Sequence, residues 1–89
     1  MEVSFSKELI RDLKKIKQKQ PQLFKKIQKQ LKFFKKDAKY PSLRTHKLKG
    51  NLSNEWSISI EGNIRLIYYV QDNLAVFFKI GTHDEVYRK

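Results

Sequence analysis

Apolar residues recur at two different periods in this chain, helical in the first half and alternating in the second. Leu9, Leu13 and Ile16, with Ile10 beside them, return every three or four positions up to Gln18. That is the spacing of one helix face. Ser6 stands just ahead of the run, where a side-chain oxygen would cap the first turn. Residues 2–5 read as a short strand before it. Pro21 occupies a first helical position, which suits a residue without an N–H. Leu23, Ile27, Leu31 and Phe34, flanked by Phe24 and Phe33, then form a second stripe. The spacing predicts helices over about 6–18 and 21–37, and so short a link makes them antiparallel neighbours.

From Trp56 onward the period drops to two. Trp56, Ile58 and Ile60 alternate with Ser57, Ser59 and Glu61; Gly62-Asn63 makes a tight turn. Ile64, Leu66, Tyr68 and Val70 alternate with Arg65, Ile67 and Tyr69, and Gln71-Asp72-Asn73 is a second turn. Leu74, Val76, Phe78 and Ile80 alternate with Ala75, Phe77 and Lys79. The pattern predicts a three-stranded antiparallel meander, with residues 42–48 as a further strand or an irregular edge. Strict alternation puts the Trp56, Leu66 and Phe78 sets against the helices, with Trp56 and Phe78 in the core. The opposite face then carries Ser57, Ser59, Arg65, Ile67, Tyr69, Phe77 and Lys79. The fold class is α+β.

Arg65 breaks the apolar run of its strand. A buried, unpaired guanidinium is very costly, so Arg65 must reach water, a carboxylate such as Glu61 or Asp84, or a phosphate. A guanidinium matches phosphate two oxygens at a time, which favours the last.

Charge sharpens this expectation. Residues 1–50 hold 16 Lys and Arg against 4 Asp and Glu, whereas residues 51–89 hold 4 against 5. Lys14, Lys15, Lys17, Lys25, Lys26, Lys29 and Lys32 fall on the helix faces opposite the apolar stripes. A net charge of +11 on 89 residues points to a polyanionic partner, nucleic acid first. Other classes drop out. There are no cysteines, hence no disulfides or thiolate metal sites. No apolar run approaches the roughly 20 residues of a membrane span. The first residues lack a signal-peptide pattern, so the expected location is the cytoplasm.

Only two histidines are present. His46 lies in His-Lys-Leu-Lys-Gly, and His83 in Ile-Gly-Thr-His-Asp-Glu-Val-Tyr, which ends on Tyr87. Histidine titrates near neutrality and can move protons. RNA supplies its own nucleophile, the 2′-hydroxyl. Cutting it needs a base, an acid and cations around the phosphorane, with no metal or cofactor. His46 and His83 meet the proton-transfer need, with the acid and base roles unassigned. Arg65 would hold the scissile phosphate, Lys47 and Lys49 its neighbours, and Tyr87 would stack on a base or orient His83. Asp84 and Glu85 read as first-turn acids of a short helix or partners of Arg88.

The order of these pieces, with Trp-Ser-Ile and Asn-Ile-Arg-Leu-Ile-Tyr between the histidine motifs, resembles the RelE/ParE superfamily of type II toxins, above all its YafQ-like mRNA interferases. The resemblance spans the whole chain and implies one domain over 1–89. It implies a helical hairpin packed on a curved antiparallel sheet. It also implies a ribosome-dependent endoribonuclease acting on mRNA in the A site, neutralised by a cognate antitoxin. The two histidines fall on that branch's catalytic histidines, Tyr87 on its functional aromatic, and Arg65 on the strand arginine of RelE-type members. Ser59 and Asn63 stand where the YafQ-like branch carries a further His and Asp. A ParE-like toxin that binds DNA gyrase without catalysis is the alternative.

Overall fold

The first element is a strand, and it lies beside the last one. In a computed structural model describing residues 1–48 and 54–87, β1 (Glu2–Phe5) runs parallel to β5 (Leu74–Thr82), with Glu2 opposite Leu74 and Phe5 opposite Phe77. The Ser6 N–H extends this ladder to the Phe77 carbonyl. The Ser6 hydroxyl then accepts from the Leu9 N–H at 3.1 Å, so one residue ends the strand and caps α1 (Lys7–Lys19). Only Gln20 separates α1 from α2 (Pro21–Lys36), which starts on the expected proline.

The remaining strands are β2 (His46–Lys47), β3 (Glu55–Glu61) and β4 (Ile64–Gln71), and the sheet order is β1-β5-β4-β3-β2. The meander is antiparallel as expected. The sheet as a whole is mixed, because β1 enters parallel, and the chain does not begin with the helices. Between β1 and β5 the chain passes through both helices and three strands, and so long a connection can return in the same direction, which a hairpin cannot do. The 42–48 region is part helix and part edge: a 3₁₀ turn over Pro41–Leu43, then β2.

Both hairpin turns follow their sequences. Gly62 has φ +49° at the first turn position, and Asp72 and Asn73 have φ 51° and 65°. The Asp72-Asn73 pair gives the right-handed strand twist that two-residue hairpins need, whereas the first turn places only Gly62 at positive φ.

The helices cover one face of the sheet. Leu9, Ile27, Phe34, Leu43, Ile58, Leu66, Ala75 and Phe77 are fully enclosed there, with Tyr68 among them. Phe34 meets Tyr68 and Phe77 edge-on at 5.0 and 5.2 Å. Burial pushes the Tyr68 hydroxyl up to about 12. This face contains one correction. Phe77, not Phe78, is the core residue of β5, and Ala75 lies on the same side. Ile67 of β4 opposes Lys79, while Tyr68 opposes Phe77. Phe78 is therefore an extra residue, a bulge that reverses the alternation of β5. Leu74, Val76 and Phe78 leave the helix face; Ile80, beyond the bulge, stays on it.

Candidate functional site

The other face of the sheet carries a small second apolar cluster: Ile67, Leu48 and Val86, with Phe78 against it. Ile67 is buried at the centre of β4. Leu48 directly follows His46 and Lys47, and Val86 belongs to α3 (His83–Tyr87). Both histidine-bearing segments are therefore anchored over the same point on the sheet. Phe78, displaced here by the bulge, also meets Tyr69, with ring centroids 5.7 Å apart.

Arg65 sits one same-face step along β4 from Ile67, between Ser59 of β3 and Gly81 of β5. Its Nη1 donates to the Gly62 carbonyl at 2.9 Å, and to the Ser59 hydroxyl and the Ile64 carbonyl at 3.3 Å each. The guanidinium is thus fixed by the turn and by Ser59. The carboxylate partners considered for it do not take that role: Glu61 pairs with Lys26 at 2.7 Å, and Asp84 lies 3.8 Å from His83 Nδ1. All three bonds leave from Nη1, and among the described residues Nη2 and Nε donate to none.

His83 opens α3, two residues after the Gly81 that opposes Arg65, and its side chain is 54% exposed. The helix starts through a reciprocal pair, a capping box. The Thr82 N–H donates to Glu85 Oε1 at 2.7 Å, and the Glu85 N–H donates to the Thr82 hydroxyl at 3.2 Å. The backbone donation first, then the hydroxyl, holds the Glu85 carboxyl below its ordinary value, with Lys79 adding to this. Gly81 leaves room for the Glu85 side chain: a Cβ there would come within 2.9 Å of Glu85 Oε1 and 3.3 Å of its Cβ.

His46 is exposed on β2 and opposes Ser57, so it shares a face with Ser57, Ser59 and Arg65. Two strand spacings and two residue rises place its Cα roughly 12 Å from that of Arg65. Lys47 is exposed and opposes Trp56 on the helix side. Lys49 lies outside the described residues. Tyr87 ends α3, but its side chain also lies outside them. The sheet thus gathers Arg65 and the His83 segment at one end, with His46 two strands away on the same face.

A further residue positions this arrangement. Gln30 of α2 is 7% exposed. Its Nε2 donates to the Ser59 carbonyl at 2.8 Å and to the Ser42 carbonyl at 3.2 Å, and its Oε1 accepts from the Ser42 hydroxyl at 3.3 Å. One side chain ties the helix layer to the strand beside Arg65 and to the segment leading into His46. A signal was present: Gln30 follows Ile27 by three and precedes Phe34 by four, so it lies on the buried stripe.

A helical hairpin on one face of a five-stranded sheet, with Arg65 and two histidine-bearing segments on the other, defines a small α+β protein. The profile of a family described as "Bacterial toxin of type II toxin-antitoxin system, YafQ" matches residues 1–88, and the chain belongs to that family. Among solved structures it is similar to the YoeB dimer from Staphylococcus aureus, at 30% identity and TM-score 0.77, covering 93% of this chain and 97% of that one. The YoeB-YefM complex from the same organism is similar too, at 30% identity and TM-score 0.76, with coverages of 93% and 97%. YafQ from E. coli strain BL21(DE3) shares the fold at 19% identity and TM-score 0.75, covering 97% of each chain. No curated protein sequence matches.

Proposed function

We propose that this toxin is an endoribonuclease that cuts mRNA engaged on the ribosome, acts in the cytoplasm, and is held inactive by a cognate antitoxin. The observation that carries the reading is the joint anchoring of the two histidine segments over Ile67, beside a guanidinium fixed by the hairpin turn. The antitoxin follows from the relative solved as a YoeB-YefM complex. The lysine-covered helices offer such a partner's acidic, amphipathic segment a complementary surface.

In the proposed reaction, one histidine takes the proton of a ribose 2′-hydroxyl. The 2′-oxygen attacks the adjacent phosphorus, and Arg65 holds the charge that builds on the phosphorane oxygens. The bond to the 5′-oxygen breaks as the other histidine donates a proton to it. The products are a 2′,3′-cyclic phosphate and a 5′-hydroxyl. Ser59 and Gln30 keep Arg65 and its strand in place; Lys47 and Lys49 hold flanking phosphates; Tyr87 packs on a base.

His83→Ala tests the assignment, because general acid–base catalysis contributes about 10²–10⁴-fold. Cleavage of mRNA in a translation extract should slow by about that factor, with the melting temperature unchanged. Cleavage at the wild-type rate would overturn the histidine mechanism. Intact mRNA together with inhibited gyrase supercoiling would replace the nuclease by a gyrase-binding toxin.

A further inference from the structure

At the edge of the sheet beyond β2, a cleft of about 300 Å³ opens between the 3₁₀ turn and β3. It is lined by Lys39, Tyr40, Pro41, Arg44, Thr45 and Trp56. Its size is at the lower end of small-molecule sites, about 300–1,000 Å³. Among the described residues two aromatic side chains and two cations line it, and no carboxylate does.

Three of these side chains are held. Tyr40 stacks on Phe33, with centroids 4.3 Å apart and planes within 10°, yet stays 39% exposed. Trp56 is half-buried against the core. Thr45 Oγ1 donates to the Ala38 carbonyl and pins the loop wall. Arg44 is the unusual member. It ends the 3₁₀ turn at φ 48°, ψ 47°, a left-handed conformation suited to glycine or asparagine. An arginine kept at such a position points to a use for its side chain.

The cleft also lies in register with the candidate site. Trp56 opposes Lys47, and the next residue, Ser57, opposes His46. Because successive strand residues point to opposite faces, His46 looks to the Arg65 side and Lys47 to the cleft side. A single strand passing over this edge would meet Arg65, His46, Lys47 and the cleft in turn. Aromatic faces next to cations are what single-stranded nucleic acid uses: bases stack, and phosphates pair with Arg and Lys.

We propose that this cleft binds one nucleotide of the RNA strand flanking the cleaved phosphate, its base against Tyr40 and Trp56 and its phosphate on Arg44 and Lys39. The inference rests on the nuclease reading, and its test separates the two. Trp56 is the only tryptophan, so its fluorescence reports on the cleft. In the His83→Ala protein, a heptamer RNA should quench it saturably, an abasic oligonucleotide of equal length should bind more weakly, and polyglutamate should not quench it. Tyr40→Ala should weaken RNA binding about 5- to 150-fold, the range of base–aromatic stacking. Arg44→Asn suits the left-handed backbone, so folding should persist. The slope of log affinity against log salt should fall by about 0.7, one single-strand phosphate contact.

An unchanged affinity and salt slope in Arg44→Asn would overturn the proposal. Polyglutamate quenching as strong as that by RNA would also overturn it, assigning the cleft to an acidic peptide. RNA that leaves Trp56 unquenched while the wild type still cleaves mRNA removes the cleft and keeps the nuclease. Quenching with no cleavage by the wild type removes the nuclease and leaves an RNA-binding cleft.

Discussion

The two faces of this sheet are built for different ends. Against the helices lie Phe34, Phe77, Tyr68, Leu66 and their neighbours, fully enclosed and meeting ring to ring. On the other side, three buried residues and Phe78 form an apolar spot, rimmed by Arg65, His46 and His83. Burying a large apolar side chain contributes about 1.5–3 kcal/mol, so the helix face carries most of the stability. The far cluster is too small to do so, and its members come from segments that carry polar groups. Such a division lets the open face present charged and titrating side chains without exposing the core to their desolvation cost. Gln30 and Ser59 are where the two sides communicate.

The largest expected effect breaks the helix face. Phe34 is fully enclosed, and Phe34→Ala should cost about 3–5 kcal/mol, a large part of the about 5–15 kcal/mol that holds a domain folded. Denaturant titration would read it. The counterpart on the far face, Ile67→Val, should cost only about 0.5–1.5 kcal/mol. It should nevertheless slow RNA cleavage more than its stability loss explains, since it loosens the anchor of both histidine segments. A cleavage rate that falls no further than the stability loss of Ile67→Val explains would remove the anchoring role of the far cluster.

Next in size is the link between them. Gln30→Ala removes part-buried bonds to the Ser59 and Ser42 carbonyls, worth about 0.5–1.5 kcal/mol each. Its signature should be local. Amide exchange should quicken around Ser42 and Ser59, while β1 and its Phe77 neighbour stay protected. Uniform loss of protection would make Gln30 a general core residue instead of a tether.

Much of this contrast was legible in the residues, and the misses have physical causes. The helices, both turns and the meander followed from period and turn chemistry. Strand β1 was legible as a strand, but its parallel partner was not, because a strand's direction depends on the whole path between. The Phe78 bulge left no trace, since Val-Phe-Phe-Lys-Ile offers an apolar residue to either face whichever way the strand alternates. Arg65 stood out as a charge in an apolar run, and its position on the far face follows from Ser59 and Ile67 beside it. Its turn-carbonyl partners did not, because side-chain reach around a hairpin is a matter of three dimensions. The Thr-His-Asp-Glu box was written in the sequence as an S/T-x-x-E signature, and Glu85 nonetheless passed as a first-turn acid or a partner of Arg88.

The smallest effect concerns that box, which holds the one helix on the open face. Helix α3 is five residues long, too short to persist by itself. It relies on Val86 in the far cluster and on the exchange between Thr82 and Glu85. The Glu85 carboxyl lies below its ordinary 4.5 because its charged form accepts from the Thr82 N–H. A carboxyl whose value is lowered on folding adds stability that is present above its unfolded value and is lost as the pH falls through the folded one. Acid should therefore release the start of α3, and with it His83, before it touches α1, whose Ser6 cap is uncharged, or α2, which has no side-chain cap. The Thr82 amide resonance should follow the Glu85 titration with a midpoint below 4.5, and Glu85→Gln should abolish that dependence while leaving the melting temperature nearly unchanged, as expected for a fully exposed group. A Thr82 midpoint at or above the ordinary value would mean that the carboxylate does not hold the helix start. His83 would then be placed by Val86 and Gly81 alone.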